Sequence, residues 1–193
     1  MRLRIEPFLY AIAASAAAVL LGQWLGHDPL QRALYMVRFT ARVGVPLVLL
    51  IYTASSLHRL WPGIWTTWLS RNRRSLGLSF ALTHTVHLVA VFNYIAQPGS
   101  PPQPAAGIVG YVFIYLMAFS SNPGSMKQMG QWWHRLHTAG VQIVFLYYLA
   151  GYASMLAEPE LRSLGLTVVP LLLAALGVRI AAWRARRVAG GVA

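Results

Sequence analysis

The sequence contains no cysteine. Its absence excludes disulfides, thiolate metal centres and haem attached through thioether links. Acidic residues are nearly as scarce, with four Asp and Glu against sixteen Lys and Arg. All four acids (Glu6, Asp28, Glu158 and Glu160) fall at the ends of apolar runs rather than inside them. Hydrolytic or oxygen-activating di-metal chemistry and a carboxylate-based proton pathway both lack their usual groups. Charge of either sign is also sparse. Only 10% of residues are charged and 57% are apolar, whereas a globular domain carries roughly a quarter charged residues. Such a chain is short of polar surface for a soluble fold. In a soluble protein the basic excess would suggest nucleic acid. Here the arginines cluster between apolar runs, which is how membrane orientation is encoded, and no nucleic-acid partner is expected.

What the chain does have is apolar runs of membrane length, and lipid is its expected surroundings. A span needs about 20 apolar residues, and six runs approach that length, at about 7–25, 34–57, 75–96, 106–120, 130–157 and 164–183. The expected fold class is therefore an all-α integral membrane protein, a single six-helix bundle over 1–193 with no soluble domain. The first run follows Arg2 and Arg4 in the manner of a signal peptide, but five more follow it, so it reads as a retained span. Pro46 falls inside the second run, where a kink is expected. Trp61, Trp65 and Trp68, followed by Arg71, Arg73 and Arg74, suit a helix at the membrane surface. The segment QPGSPPQPA reads as an uncharged loop, and SNPGSMKQ as a turn-rich connector. With six spans, most of the basic residues share one side with both termini. The positive-inside rule makes that side cytoplasmic. The expected location is a bacterial inner (plasma) membrane, crossed several times.

Four histidines interrupt these runs in two matching pairs, His84 with His87 and His134 with His137. Members of each pair lie about one helical turn apart on one face. Imidazoles inside membrane spans are functional suspects by default. Measured from Arg74, His84 is about 15 Å deep and His87 about 20 Å; measured from Lys127, His137 is about 15 Å deep if its helix starts that early. Neutral imidazole is a good axial ligand for haem iron, and facing bundle helices are the usual source of two such ligands. Other readings remain: interhelical hydrogen bonds to backbone carbonyls, a binuclear metal site, or a haem-free scaffold or transporter whose histidines bind metal or substrate. His27 and His58 sit at span ends and read as interfacial. His134 lies beside Arg135 near the basic face. Arg73, Arg74 and Arg135 are candidates to pair with haem propionates, because guanidinium suits carboxylate, or they serve orientation alone.

Two motifs resemble a known family. Arg73-Arg74-Ser75-Leu76-Gly77-Leu78, with His87 nine residues after Leu78, resembles the third helix of the ferric-reductase-like transmembrane family. Gly130, Trp133, Leu136 and His137 match the opening of that family's fifth helix. In spacing the chain is similar to the haem-binding membrane subunits of bacterial methionine sulfoxide reductase systems. The resemblance runs from about the second helix to the fifth. It implies a bundle that carries b-type haem and passes single electrons. It also makes Trp133, Arg74 and Arg135 cofactor-binding candidates beside the histidines. Members often carry a second histidine 13 residues beyond the first on the fifth helix, where this chain has Ala150, and an aromatic where it has Val141. One haem b is therefore expected, between His87 and His137 as axial ligands to its iron, with His84 as the competing ligand. No glycine-rich dinucleotide fingerprint follows a strand. The expected protein is the electron-transfer subunit of an oxidoreductase system, not an enzyme by itself. Its electrons would come from a separate flavin, flavoprotein or quinol (quinone) donor and pass to a partner reductase or acceptor.

Overall fold

The computed structural model describes residues 3–101 and 106–190. Arg2 and the loop residues 102–105 lie outside them. Eight α-helices occur among the described residues: α1 (Glu6–Leu25), α2 (Pro29–Leu60), α3 (Ile64–Arg71), α4 (Arg73–Ile95), α5 (Ala106–Ser120), α6 (Pro123–Met129), α7 (Gln131–Ser154) and α8 (Arg162–Gly190), with a 3₁₀ turn at Met155–Ala157. Five of these are long and apolar enough to cross a membrane: Glu6–Leu25, Pro29–Leu60, Arg73–Ile95, Gln131–Ala157 and Arg162–Val188. The run expected at 106–120 is α5, an apolar helix of 15 residues, about 22 Å long at ~1.5 Å per residue.

Local chemistry explains where the helices start. Asp28 caps α2, accepting the Gln31 amide at 2.8 Å, and Pro29 occupies the first turn, where a missing N–H does no harm. This carries the second run out to Pro29–Leu60, longer than the 34–57 read from hydropathy. The helix also continues unbroken through Pro46, whose ring is exposed on its outer side. The connector SNPGSMKQ is helical rather than a set of turns. Asn122 accepts the Ser125 amide at 2.8 Å, Pro123 follows at the first position, and α6 results. It ends at Gly130, whose φ of 53° and ψ of −122° suit a residue without Cβ. That break makes Gln131 the first residue of α7. The surface helix expected from the tryptophan repeat is α3. Trp61 and Trp65 are exposed, while Leu69 is buried and Trp68 packs on the core.

The packing suits a lipid solvent. Leu20, Val89, Phe92, Leu146 and Leu173 stand exposed on the outside of the long helices. The interior instead buries Ser15, Thr40, Ser75, Ser79 and Thr83 beside Ala11, Ala33 and Ala54. Small and hydroxyl side chains let helices approach and bond across the interface where no hydrophobic drive separates core from solvent. The long central helix is α2, which packs against α1, α3, α4, α7 and α8. One cluster joins Leu47 and Val48 of α2 to Leu76 and Phe80 of α4, Ile114 of α5 and Val144 of α7. A second joins Tyr52 of α2 to Phe145 of α7 and Leu172 of α8, with the Tyr52 and Phe145 rings stacked at 3.7 Å. Helices α4 and α7 do not pack along their lengths; α5 lies against both.

Contacts fix which ends lie together. The Arg4 amide donates to Ser75 Oγ, Arg73 Nη1 to Ser55 Oγ, Arg74 Nε to the Ser121 carbonyl and Trp133 Nε1 to the Ser120 carbonyl. The starts of α1, α4 and α7 and the ends of α2 and α5 therefore share one end of the bundle. At the other end Arg38 of α2 faces Glu160 at 3.9 Å, just before α8 begins.

Candidate functional site

The slot between α4 and α7, walled by α2 and α5, holds two cavities. The inner one, toward the arginine-rich end, has a volume of ≈ 430 Å³, and its lining includes Arg73, Arg74, Trp133, His134, His137 and Arg179. The outer one has a volume of ≈ 270 Å³, and its lining includes His84, His87, Tyr111, Tyr147, Tyr148 and Tyr152. Phe80 lines the inner cavity, while Ile114 and Val144 line both.

His87 is held at one nitrogen and open at the other. Its Nδ1 lies 3.0 Å from Thr40 Oγ1. That hydroxyl donates its own proton to the Met36 carbonyl at 2.6 Å, so it accepts from His87 Nδ1–H. The neutral imidazole then carries its lone pair on Nε2. Among the described residues no hydrogen bond engages that nitrogen. A helix-backbone carbonyl thus sets the tautomer of His87 through one threonine.

His84 is closed at both nitrogens. Nδ1 sits 3.0 Å from the Phe80 carbonyl, an acceptor, and therefore carries the proton. Nε2 accepts from Tyr148 Oη at 3.0 Å. Gly44 of α2 makes this contact possible: a Cβ there would overlap Tyr148 Oη and come within 2.6 Å of His84 Cε1. The Tyr148–His84 bond spans from α7 to α4 across the slot.

His137 lies flat on Trp133, with ring centroids 3.9 Å apart. Its Nδ1 is 3.0 Å from the Trp133 carbonyl, four residues back, and so donates. Nε2 is 3.3 Å from Ser121 Oγ, whose nearer partner is the Met117 carbonyl at 2.6 Å. The Nε2 lone pair is only loosely engaged. Trp133 is itself pinned by its indole N–H to the Ser120 carbonyl at 2.8 Å.

Several sequence expectations change here. Because α7 starts at Gln131, His137 is its seventh residue and His87 is the fifteenth of α4. The two helices start at the same end, so His137 is about 9 Å along its helix and His87 about 21 Å. Their depths are not comparable, and the two side chains line different cavities. Arg74 lines the inner cavity with Nε held by the Ser121 carbonyl at 2.7 Å. Arg135 does not line it; its guanidinium lies over the exposed Trp132 ring at 4.8 Å. Ala150 is exposed on α7 and belongs to neither lining.

The structure also supplies residues that sequence reading missed. Thr40, Tyr148 and Ser121 each meet a site histidine through a contact distant in sequence. Tyr111 has a buried hydroxyl with no hydrogen-bond partner among the described residues and lines the outer cavity. Arg179 of α8 lines the inner cavity. Among the described residues, no group of three or more His, Cys, Asp or Glu lies together as a metal site.

These residues suit a haem chemically. The outer cavity is walled by apolar and tyrosine side chains, His87 lines it with no hydrogen bond to Nε2 among the described residues, and His137 shares the inner cavity with arginines suited to carboxylates. The class defined by this fold is an all-helical protein with five apolar helices of membrane length. No protein-family model matches the chain, and no solved structure matches it.

Proposed function

We propose that the chain is a multi-pass membrane b-type cytochrome, the electron-carrying subunit of a system whose donor and acceptor are separate proteins or small molecules. The observation that carries this reading is His87, a half-buried imidazole that lines a cavity, with Nδ1 held by Thr40 and no hydrogen bond to Nε2 among the described residues. His87 and His137 would supply the axial nitrogens, and Arg73 and Arg74 would meet the propionates. Their placement in two cavities means that ligands to one iron would need Ile114 and Val144 to yield between them. His84 is the weaker candidate, since Tyr148 must first leave its Nε2. Bound haem would supply one-electron chemistry; the chain supplies ligation, an apolar wall and a basic mouth. A flavin, flavoprotein or quinol suits the donor role, and a partner reductase or other acceptor would take the electron.

The proposed topology is six crossings with both termini in the cytoplasm of a bacterial cell. Helix α5 ends beside the start of α4, so it runs back toward the arginine-rich end and would serve as the fourth crossing. At about 22 Å it is shorter than the ~30 Å hydrocarbon core, a mismatch that local thinning or its flanking segments can take up. Reporter fusions at Gln97 and at the C-terminus should fall on opposite sides; the same side would refute six crossings.

Reduced-minus-oxidised spectra of detergent-purified protein, with a pyridine haemochrome count, test the cytochrome. One haem b per chain is expected, lost or shifted in both His87→Ala and His137→Ala. Protein that takes up none from ample haem leaves the haem-free scaffold or transporter reading ahead. Full hydrogen bonding of His84 within the chain already fits a structural role for that residue.

A further inference from the structure

Arg179 is an arginine well inside a span with no acidic partner. The ion pairs among the described residues are Arg4–Glu6 and Arg38–Glu160. Neither reaches the inner cavity, where Arg71, Arg73, Arg74 and Arg179 all contribute to the lining. No carboxylate lines that cavity. Four arginines thus contribute to one lining, with no carboxylate beside them among the described residues.

Arg179 differs from the other three in how firmly it is held. It comes from α8, and it meets α2 at the Tyr52 carbonyl, one turn from Ser55, which takes Arg73 of α4. The Arg179 guanidinium carbon lies over the Tyr52 ring at 4.5 Å. Nη1 donates to the Tyr52 carbonyl at 3.2 Å. The Gln142 amide, turned so that its nitrogen donates to Tyr52 Oη, places its oxygen 3.1 Å from Nε and 3.0 Å from Nη2. A guanidinium has five N–H groups in a fixed planar fork. Three are used here, leaving one on each terminal nitrogen for a ligand. Every acceptor it meets is neutral, so the charge stays available.

We propose that Arg179 is an anion-binding residue of the inner cavity and takes a carboxylate of the ligand held there, which on the cytochrome reading is a haem propionate. The proposal rests on that reading for the ligand and on the Tyr52–Gln142 cradle for the residue. The N–H left on each terminal nitrogen can donate to carboxylate oxygen. Within a membrane span the absence of any acid makes such a partner the natural means of tolerating the charge.

Metal-free protoporphyrin IX separates this role from iron ligation, because it keeps the propionates and cannot bind an axial imidazole. Its fluorescence would be titrated against haem-depleted wild type, Arg179→Gln and Arg179→Lys, alongside protoporphyrin dimethyl ester. Circular dichroism and thermal melting in detergent would show that each variant is folded. Arg179→Gln should weaken protoporphyrin binding roughly 10- to 100-fold, as expected for a charge-assisted pair, and Arg179→Lys should weaken it less. The ester should bind wild type and both variants alike. Equal binding of the free acid to wild type and Arg179→Gln, or equal loss of acid and ester in a folded variant, overturns the proposal. Should Arg179→Gln not fold, the same acid-against-ester comparison in Arg179→Lys decides. Wild type that binds haem but does not prefer free acid over ester removes Arg179 while leaving the cytochrome intact. Wild type that takes up no haem removes both.

Discussion

Replacing Thr40 by valine tests the orientation of His87 with almost no change in shape. Valine keeps the branched volume and removes the hydroxyl that links the Met36 carbonyl to His87 Nδ1. Thr40 is almost fully buried at 2% exposure, so water cannot easily replace the lost oxygen. The Nδ1–H is then left without its acceptor, at a cost of about 1–3 kcal/mol. In haem-free protein the loss should appear as a lower melting temperature in detergent, with Thr40→Ser close to wild type. In haem-loaded protein the imidazole loses the partner that fixes its tautomer and ring plane. Partners of this kind are worth roughly 10- to 100-fold in affinity for the bound metal. The bond to Nδ1–H also raises the donor strength of Nε2, so its removal should raise the midpoint potential. The assay is a haem titration by absorbance followed by redox potentiometry, on wild type, Thr40→Val and Thr40→Ser. Unchanged affinity and potential in a Thr40→Val variant that shows the expected loss of stability would refute His87 as an axial ligand. Unchanged stability would instead refute the hydrogen bond.

Three further outcomes follow from the packing. Gly44→Ala should destabilise the protein by about 1–3 kcal/mol, because its Cβ would overlap Tyr148 Oη; pairing it with Tyr148→Phe should return part of the loss in a detergent melt, and strict additivity would show that the clash lies elsewhere. Phe145→Ala removes a ring that is 1% exposed and stacked on Tyr52, and thermal unfolding should register a loss of roughly 3 kcal/mol. Glu160→Gln breaks the pair with Arg38, but the Glu160 side chain is 83% exposed at 3.9 Å, so a melting curve should stay within ~1 kcal/mol of wild type.

Composition and pattern alone determined that the chain builds apolar helices of membrane length, and their approximate placement. Apolar runs of span length, ended by Gly26-His27-Asp28-Pro29 and by Glu158-Pro159-Glu160, mark the boundaries of α1 and α7 and the start of α8 to within a few residues. They do so because lipid imposes a length and a polarity on any helix that crosses it. The same pattern singled out His84, His87 and His137, since an imidazole in an apolar run stands out in one dimension. What the pattern could not hold was pairing across the bundle. Thr40 meets His87 over 47 positions, Tyr148 meets His84 over 64, and Arg179 meets the Tyr52 carbonyl over 127. Nor does the sequence show that Gly130 breaks α6, which lies in the expected connector, from α7, which shortens the climb to His137. Periodicity reports which face of a helix is apolar, while the partner of each polar group depends on which helices the fold sets side by side. Only the tertiary structure decided that both nitrogens of His84 are engaged, that Thr40 holds one nitrogen of His87, and that Arg179 lines the inner cavity.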